Sequence, residues 1–518
     1  MNGTRMSAFW KLSMRDLKYD VPASLVVFLV ALPLCLGIAM ASGAPLFAGL
    51  LTGIIGGVVV ASISNSQLSV SGPAAGLTVI VLGAIQTLGA YEIFLVAVVL
   101  AGCLQLLLSL AKAGNLGSYF PSSVILGMLA AIGITIIIQQ IPYGLGIAGY
   151  PASFAAFADT VNFGAFFICA GSILILLYWQ NIPVVRVVPA PLMVVILGIG
   201  SYLLFQGTGF EIPSNQLVAI PVISSFADFS GIFTFPDFSQ ILNKEVWIVA
   251  ITIAIIASIE TLLSIEAVDK MDPMKRSTNT NRELLAQGVG NISAGMLGGL
   301  PLTSVIVRSS ANVNSGGRSR QSAILHGVWL LLAVALIPVV INMIPLACLA
   351  AILLVTGYKL AKPALFLDMF KRGNDQFIPF VFTVIAIVFT DLLTGVGIGI
   401  VISILFVLRN NMSNSFDYGI YEEASKQRVT VKLSEEVSFL NKPAIRFSLQ
   451  NIPRKANEII IDGRQSKFID KDVILIIKEY ESIFLSRGKQ VQLLDIHDKQ
   501  IRIKKNKTTN KVNKVCVQ

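Results

Sequence analysis

The chain has 518 residues, of which 54% are hydrophobic and only 13% charged, and its mean hydropathy is +0.76. Those proportions exclude an ordinary soluble protein, and helix-length apolar segments without ten-residue alternation favour a helical membrane protein over a barrel. The net charge of +10 would suit nucleic acid, but Lys and Arg fall mainly in short loops and in the tail, which is the pattern of membrane topology.

Residues 1–20 are a polar lead-in whose Lys11, Arg15 and Lys18 place it in the cytoplasm. It runs straight into a full span, so no cleavable signal peptide is expected. The first span, 22–41, carries Pro33 at its centre, which removes one backbone hydrogen bond and predicts a kink or an opening. A second span covers 46–63. The sequence SGPAAG at 71–76 then breaks the chain, and a short helix is expected from about Ala74. The small residues Ala74, Ala75 and Gly76 leave its first amides sterically open, so the positive end of the helix dipole is available to an anion.

Spans near 92–112, 119–140, 164–180 and 188–206 follow, then a polar loop at 207–243 holding Glu211, Asp228 and Asp237. The second half supplies 245–266 and 284–297, and then GGLPLTSVIVRSSANVNSGG at 298–317. The apolar run after Pro301 is too short to cross a bilayer and carries Arg308. About half of a hydrocarbon core is covered by such a run, and an arginine inside it costs on the order of 3 kcal/mol unless it has a partner, a cavity or a ligand. Segments at 322–343, 346–364, 376–391 and 393–409 complete the half.

Both halves present two full spans and then an interrupted one, the pattern of a transporter built from inverted repeats around a midplane site. The count is fourteen segments, seven per half. Charge agrees with it: the even-numbered connections hold Lys112, Arg186, Lys270, Lys275, Arg276, Arg282, Arg318, Arg320, Lys371 and Arg372. The odd-numbered ones hold mostly acids, among them Glu92, Asp159 and Asp391, with Lys244 the one cation. Both termini are therefore expected in the cytoplasm.

After Arg409 the composition becomes that of a soluble domain. QRVTVKLS, PAIRFSLQ, NEIIIDG and KQVQLLDI read as short strands, and KDVILIIKEYESIFLSRG reads as an amphipathic helix. The expected organisation is a lead-in at 1–20, a membrane domain at 21–410, a small cytoplasmic α/β domain at 420–496 and a basic, solvated tail at 497–518.

Chemistry concentrates at two intramembrane charges. Glu260 lies in the apolar middle of the eighth span with Ser264 one turn on, on the same helix face. A buried carboxylate must be protonated, paired or neutralised by an ion. If its span packs beside the half-helix after Pro301, Glu260 and Arg308 are expected to meet near the midplane, where an entering anion competes with Glu260 for Arg308. Proton uptake by Glu260, or a sodium ion held by Glu260, Ser264 and nearby carbonyls, would then couple to anion entry. The five cysteines (Cys35, Cys103, Cys169, Cys348 and Cys516) are scattered and read as small hydrophobes. With only His326 and His497 in the chain, no metal site and no enzymatic constellation is expected.

The SGPAAG break, Pro33, IETLLS in the eighth span, GGLP with an arginine seven residues after the proline, and the following α/β domain resemble the sulfate permease family, bacterial relatives of solute carrier family 26, over about residues 15–495. The resemblance implies an all-α polytopic protein, a seven-plus-seven inverted repeat in which a core domain moves against a gate domain, a homodimer in the inner membrane, and a C-terminal STAS domain. Carried over, the anion contacts the backbone around Ala74, Ala75 and Gly76 and at Val307 and Arg308, with Leu34 nearby. Glu260 takes the place of the coupling acid of family symporters, with a proton favoured over sodium. Leu34 and Val307 replace polar residues of several relatives, and Asp470-Lys471-Asp472 lacks the phosphorylatable serine common in STAS domains. The expected activity is cation-coupled uptake of a small oxyanion, sulfate or bicarbonate. Uncoupled exchange, nucleobase permeation and a non-transporting scaffold or sensor are the alternatives.

Overall fold

The computed structural model describes residues 14–114, 121–147, 161–179, 188–222, 232–390, 392–413, 416–423, 426–453 and 455–497. Lys11, Asp159, Arg186, Asp228, Asp391, Cys516 and the tail from 498 lie outside them. The chain divides into two compact units, 1–400 and 401–518.

The first unit opens with α1 (Met14–Ala41), α2 (Leu46–Ile55), a π turn (Gly56–Val60) and α3 (Ala61–Ile63). Strand β1 (Ser71–Pro73), a 3-10 turn (Ala75–Leu77) and α4 (Thr78–Leu88) follow. Next come α5 (Tyr91–Leu110), α6 (Ser122–Gly144), α7 (Phe163–Tyr178) and α8 (Ala190–Phe205). The later part holds α9 (Lys244–Met271), α10 (Thr280–Leu297), β2 (Leu302–Ser304), α11 (Ile306–Asn314), α12 (Gln321–Leu336) and α13 (Pro338–Ile341). It ends with α14 (Leu346–Leu360), α15 (Pro363–Lys371), α16 (Asn374–Phe389) and α17 (Leu392–Ser413). Among the described residues, six helices are long and apolar enough to cross a membrane.

Helix α1 runs without interruption through Pro22 and Pro33. Of the kink or opening expected at Pro33, the helix shows no opening, and the stretch from Val30 to Ala41 is mostly buried. Close packing at the centre depends on missing side chains. A Cβ on Gly57, in the π turn, would stand 2.6 Å from the Gly327 Cα of α12, so the two helices touch backbone to backbone. Cys35, Cys169 and Cys348 are buried as expected, whereas Cys103 is exposed, on the outward face of α5.

In the second unit, β3 (Phe416–Glu423), β4 (Lys426–Leu433), β6 (Ala456–Asp462) and β8 (Gln490–Leu494) form one sheet in the order β3-β4-β6-β8, and β5 (Glu436–Val437) pairs with β7 (Phe468–Ile469). The stretch read as strand PAIRFSLQ is instead helix α18 (Lys442–Gln450). A Ser438–Asn441 capping box starts the 3-10 turn (Phe439–Asn441) that leads into it, Pro443 lies in its first turn, and Ile445 and Leu449 bury at helical spacing. Helix α19 (Lys471–Ser486) forms where the amphipathic pattern places it, capped by Asp470.

Candidate functional site

The two chain breaks meet. β1 and β2 pair antiparallel, Ser71 opposite Ser304, Gly72 opposite Thr303 and Pro73 opposite Leu302. Irregular backbone at membrane depth must be satisfied by protein, and several partners are in place here. On the β2 side, Asn291 of α10 brackets Leu302, accepting from its amide at 2.7 Å and donating to its carbonyl at 3.2 Å. Thr52 of α2 accepts from the Leu300 amide at 2.6 Å. Val305 N donates to Val70 O at 2.9 Å, the Ser309 hydroxyl accepts from Val70 N at 2.9 Å, and the Ser69 and Ser304 hydroxyls lie 2.6 Å apart. The turn into the crossing needs Gly298, whose φ is +91°.

Beyond the crossing, the 3-10 turn with α4 and helix α11 begin. Neither has a side-chain cap, so both present amides at their N-terminal ends. Ala74 and Gly76 are buried and Ala75 is partly so, while Val307 is half exposed at 50% and Leu34 is 7% exposed. Val307 and Ile306 thus form an open apolar lip at the start of α11, and Arg308, Ser309 and Asn312 form its buried face.

Arg308 is fully buried. Its Nη2 donates to Pro73 O at 3.5 Å, whereas Nε and Nη1 have no hydrogen-bond partner among the described residues. A Cβ on Gly72 would overlap Nη1, so the guanidinium packs directly against β1. Glu260 is on the other element. Its carboxyl sits against Gly76, close to that residue's amide, and its Oε2 is buried with no hydrogen-bond partner among the described residues. Ser264 is buried one turn further along α9.

The expected meeting of Glu260 and Arg308 is therefore corrected. The carboxyl and the guanidinium form no ion pair: the guanidinium lies against the β1 backbone at Gly72 and Pro73, and the carboxyl lies against Gly76. What the fold brings together is Glu260 with the amide end of the third segment.

A polar stripe on α10 escaped the sequence reading. Glu283, Gln287 and Asn291 recur at every fourth residue and are all fully buried. Gln287 Nε2 donates to Ser71 Oγ at 2.8 Å, and Asn291 Nδ2 donates to Gln105 Oε1 of α5 at 2.7 Å. The signal was available, since polar residues at i, i+4 and i+8 in a membrane helix mark an interior face.

Two broken segments that cross as paired strands, uncapped amide ends beyond the crossing, and a buried cation and an acid held apart on separate elements point to a transporter of anions. Comparison with known proteins agrees. Residues 17–386 match the model of the sulfate permease family, and the chain belongs to that family. YvdB of Bacillus subtilis (strain 168) is 27% identical over 407 residues, covering 77% of this chain and 74% of its own. The bicarbonate transporter BicA of Picosynechococcus sp. is 25% identical over 423 residues, covering 78% and 72%. Among solved structures, the transmembrane domain of a cyanobacterial BicA aligns with a TM-score of 0.64 at 23% identity, covering 75% of this chain and 98% of that one. The murine solute carrier 26 member A9 anion transporter, in its inward-facing state, aligns with a TM-score of 0.75 at 16% identity, covering 95% and 88%. The protein is thus a membrane anion transporter with the fold of those proteins, and not an enzyme.

Proposed function

We propose that the chain is a secondary active transporter that takes up a small inorganic oxyanion, sulfate or bicarbonate, together with a proton. The observation that carries this reading is Glu260 against the Gly76 amide, at the end of a segment crossed by its counterpart from the other half. With Glu260 ionised, its carboxylate occupies a donor that an anion needs. Protonation withdraws that competition, and the anion takes the amides of Ala75, Gly76, Val307 and Arg308 in the positive field of the Arg308 guanidinium. Sodium at Glu260 and Ser264 is the coupling alternative, since a cation beside the carboxylate relieves the same competition.

Fourteen segments in a seven-plus-seven inverted repeat, with the core carrying the site past the gate, supply alternating access in this reading. It includes a homodimer in the inner membrane, both termini in the cytoplasm and a STAS-like C-terminal domain. The four-stranded sheet with α18 and α19 supports that last assignment. Uptake of labelled sulfate, bicarbonate and uracil into proteoliposomes under imposed proton or sodium gradients tests the whole reading. Gradient-driven accumulation that survives Glu260→Gln would end it.

A further inference from the structure

One buried carboxylate has no part in that cycle. Glu283 lies in the first turn of α10, where the helix dipole favours a negative charge. It is fully buried, and it accepts hydrogen bonds from Ser64 Oγ and, at 2.9 Å, from Gln287 Nε2, neither of them charged. The charged groups that face it are Asp269 at the end of α9 and Arg282 on α10. Asp269 accepts from Thr278 N and Oγ1, both at 2.7 Å, and Arg282 Nε donates to Ile63 O at 2.9 Å. Arg320, at the start of α12, reaches Ser62 O and Ser64 O at 3.4 Å, while α5 brings only the uncharged Gln105 and Ser109.

We propose that Glu283 is a proton-binding site separate from Glu260, and that it couples the pH on the side of the α9–α10 connection to strand β1 through Gln287. In the topology proposed above, that side is the cytoplasm. The Gln287 amide carries the argument. Its Nε2 donates both to Glu283 Oε1 and to Ser71 Oγ, whereas its own Oε1 is buried without a partner among the described residues. That orientation suits an ionised carboxylate. A protonated Glu283 must donate its O–H. Ser64 Oγ already accepts from Ser66 N at 3.0 Å and donates to Oε2, so the proton goes to Oε1, the oxygen that faces Gln287. The turned amide then offers its own Oε1 to both Glu283 and Ser71, because the Ser71 hydroxyl serves equally as donor or acceptor. One proton is taken up, and no covalent bond other than the new O–H forms or breaks. The hydrogen bond on Ser71 reverses direction, two residues before the Pro73 carbonyl that holds Arg308.

The test has two readouts on the full chain. Infrared pH titration in lipid nanodiscs follows the protonated-carboxyl band, and the expected result is a band that forms on acidification in wild type and in Glu260→Gln and is lost in Glu283→Gln. Uptake of labelled bicarbonate and sulfate into proteoliposomes then follows internal pH. Only this arm rests on the transport reading. Wild-type rates are expected to change with internal pH, by at most about tenfold per unit for a single proton. Glu283→Gln is expected to abolish that dependence, Glu283→Asp to restore it, and Gln287→Leu to keep the infrared band while losing the dependence. An unchanged band in Glu283→Gln overturns the proton site, and wild-type pH dependence in Gln287→Leu overturns the coupling. A wild-type protein that moves neither anion defeats the transport reading, and the infrared arm still decides the site.

Discussion

Gly76→Ala adds one methyl group where Glu260 meets the third segment. The new Cβ would stand 2.7 Å from Oε2, 2.8 Å from Oε1 and 2.9 Å from Cδ of Glu260, all well inside contact distance. The carboxyl is the free end of a flexible side chain, so it moves and the helix does not. Moving takes it away from the Gly76 amide, a contact to a charged acceptor that contributes about 1.5–3 kcal/mol when formed as a hydrogen bond. At about 1.4 kcal/mol per factor of ten, the competition between Glu260 and the anion weakens by about ten- to a hundredfold. Proteoliposomes loaded with labelled anion separate the consequences. Accumulation under an inward proton gradient should fall by that factor, while tracer exchange at equal pH persists. Gly83→Ala is the control, because a Cβ there meets nothing within 4 Å. Wild-type accumulation in Gly76→Ala, or an equal loss in Gly83→Ala, would refute the reasoning.

Two further predictions concern stability. Asp20, fully buried, accepts from Arg318 N at 2.7 Å, Ser319 N at 3.1 Å and Ser319 Oγ at 2.5 Å, tying the start of α1 to the loop before α12. Asp20→Ala strands these donors and should cost about 3 kcal/mol, read as a lowered thermal unfolding midpoint of the purified chain; an unchanged midpoint would deny the clasp any role. In the second unit, hydrogen bonds from the Arg464 guanidinium hold Asp462 below its ordinary value of 3.8 against the opposing effect of burial. Its contribution is present above pH 3.8 and is lost as pH falls through the lower folded-state value. Because Arg464 is 67% exposed, Asp462→Asn should cost no more than about 1 kcal/mol at neutral pH. Hydrogen exchange of the β6 amides in the full chain measures this, and a loss that persists unchanged in strong acid contradicts the assignment.

Much of the membrane unit was legible because hydrocarbon allows few backbone solutions. Helix-length apolar runs, the Ser71–Pro73 break and the GGLP break therefore read directly. The pairing of the two breaks as β1 and β2 did not, since three-residue strands carry no periodicity and form only because the other half supplies the opposite edge. The same holds for Glu260. Its burial was visible in IETLLS, but its partner depends on which side of β1 the Arg308 guanidinium takes, a tertiary choice decided at Gly72 and Pro73. PAIRFSLQ went astray for a local reason: its apolar residues fit period two about as well as period 3.6, and the capped 3-10 turn that leads into the helix lies outside the window.

The separation of Glu260 from Arg308 bears on which anion the site favours. A guanidinium stays charged, whereas a carboxyl can be neutralised. With Glu260 ionised the two formal charges cancel, and with Glu260 protonated one positive charge remains. In a low-dielectric interior each uncompensated charge is costly, so one proton is balanced by one monoanion. Bicarbonate entering with a single proton is then electroneutral, while sulfate entering with a single proton carries one net negative charge. Currents from proteoliposomes on a solid-supported membrane distinguish the two: bicarbonate uptake should pass none, and sulfate uptake should pass a current that reports inward negative charge. Glu260→Gln fixes the site at one positive charge, so it should bind the monoanion without a proton and fail to accumulate it. Proton-driven bicarbonate uptake that moves net charge would mean that another titratable group joins the cycle.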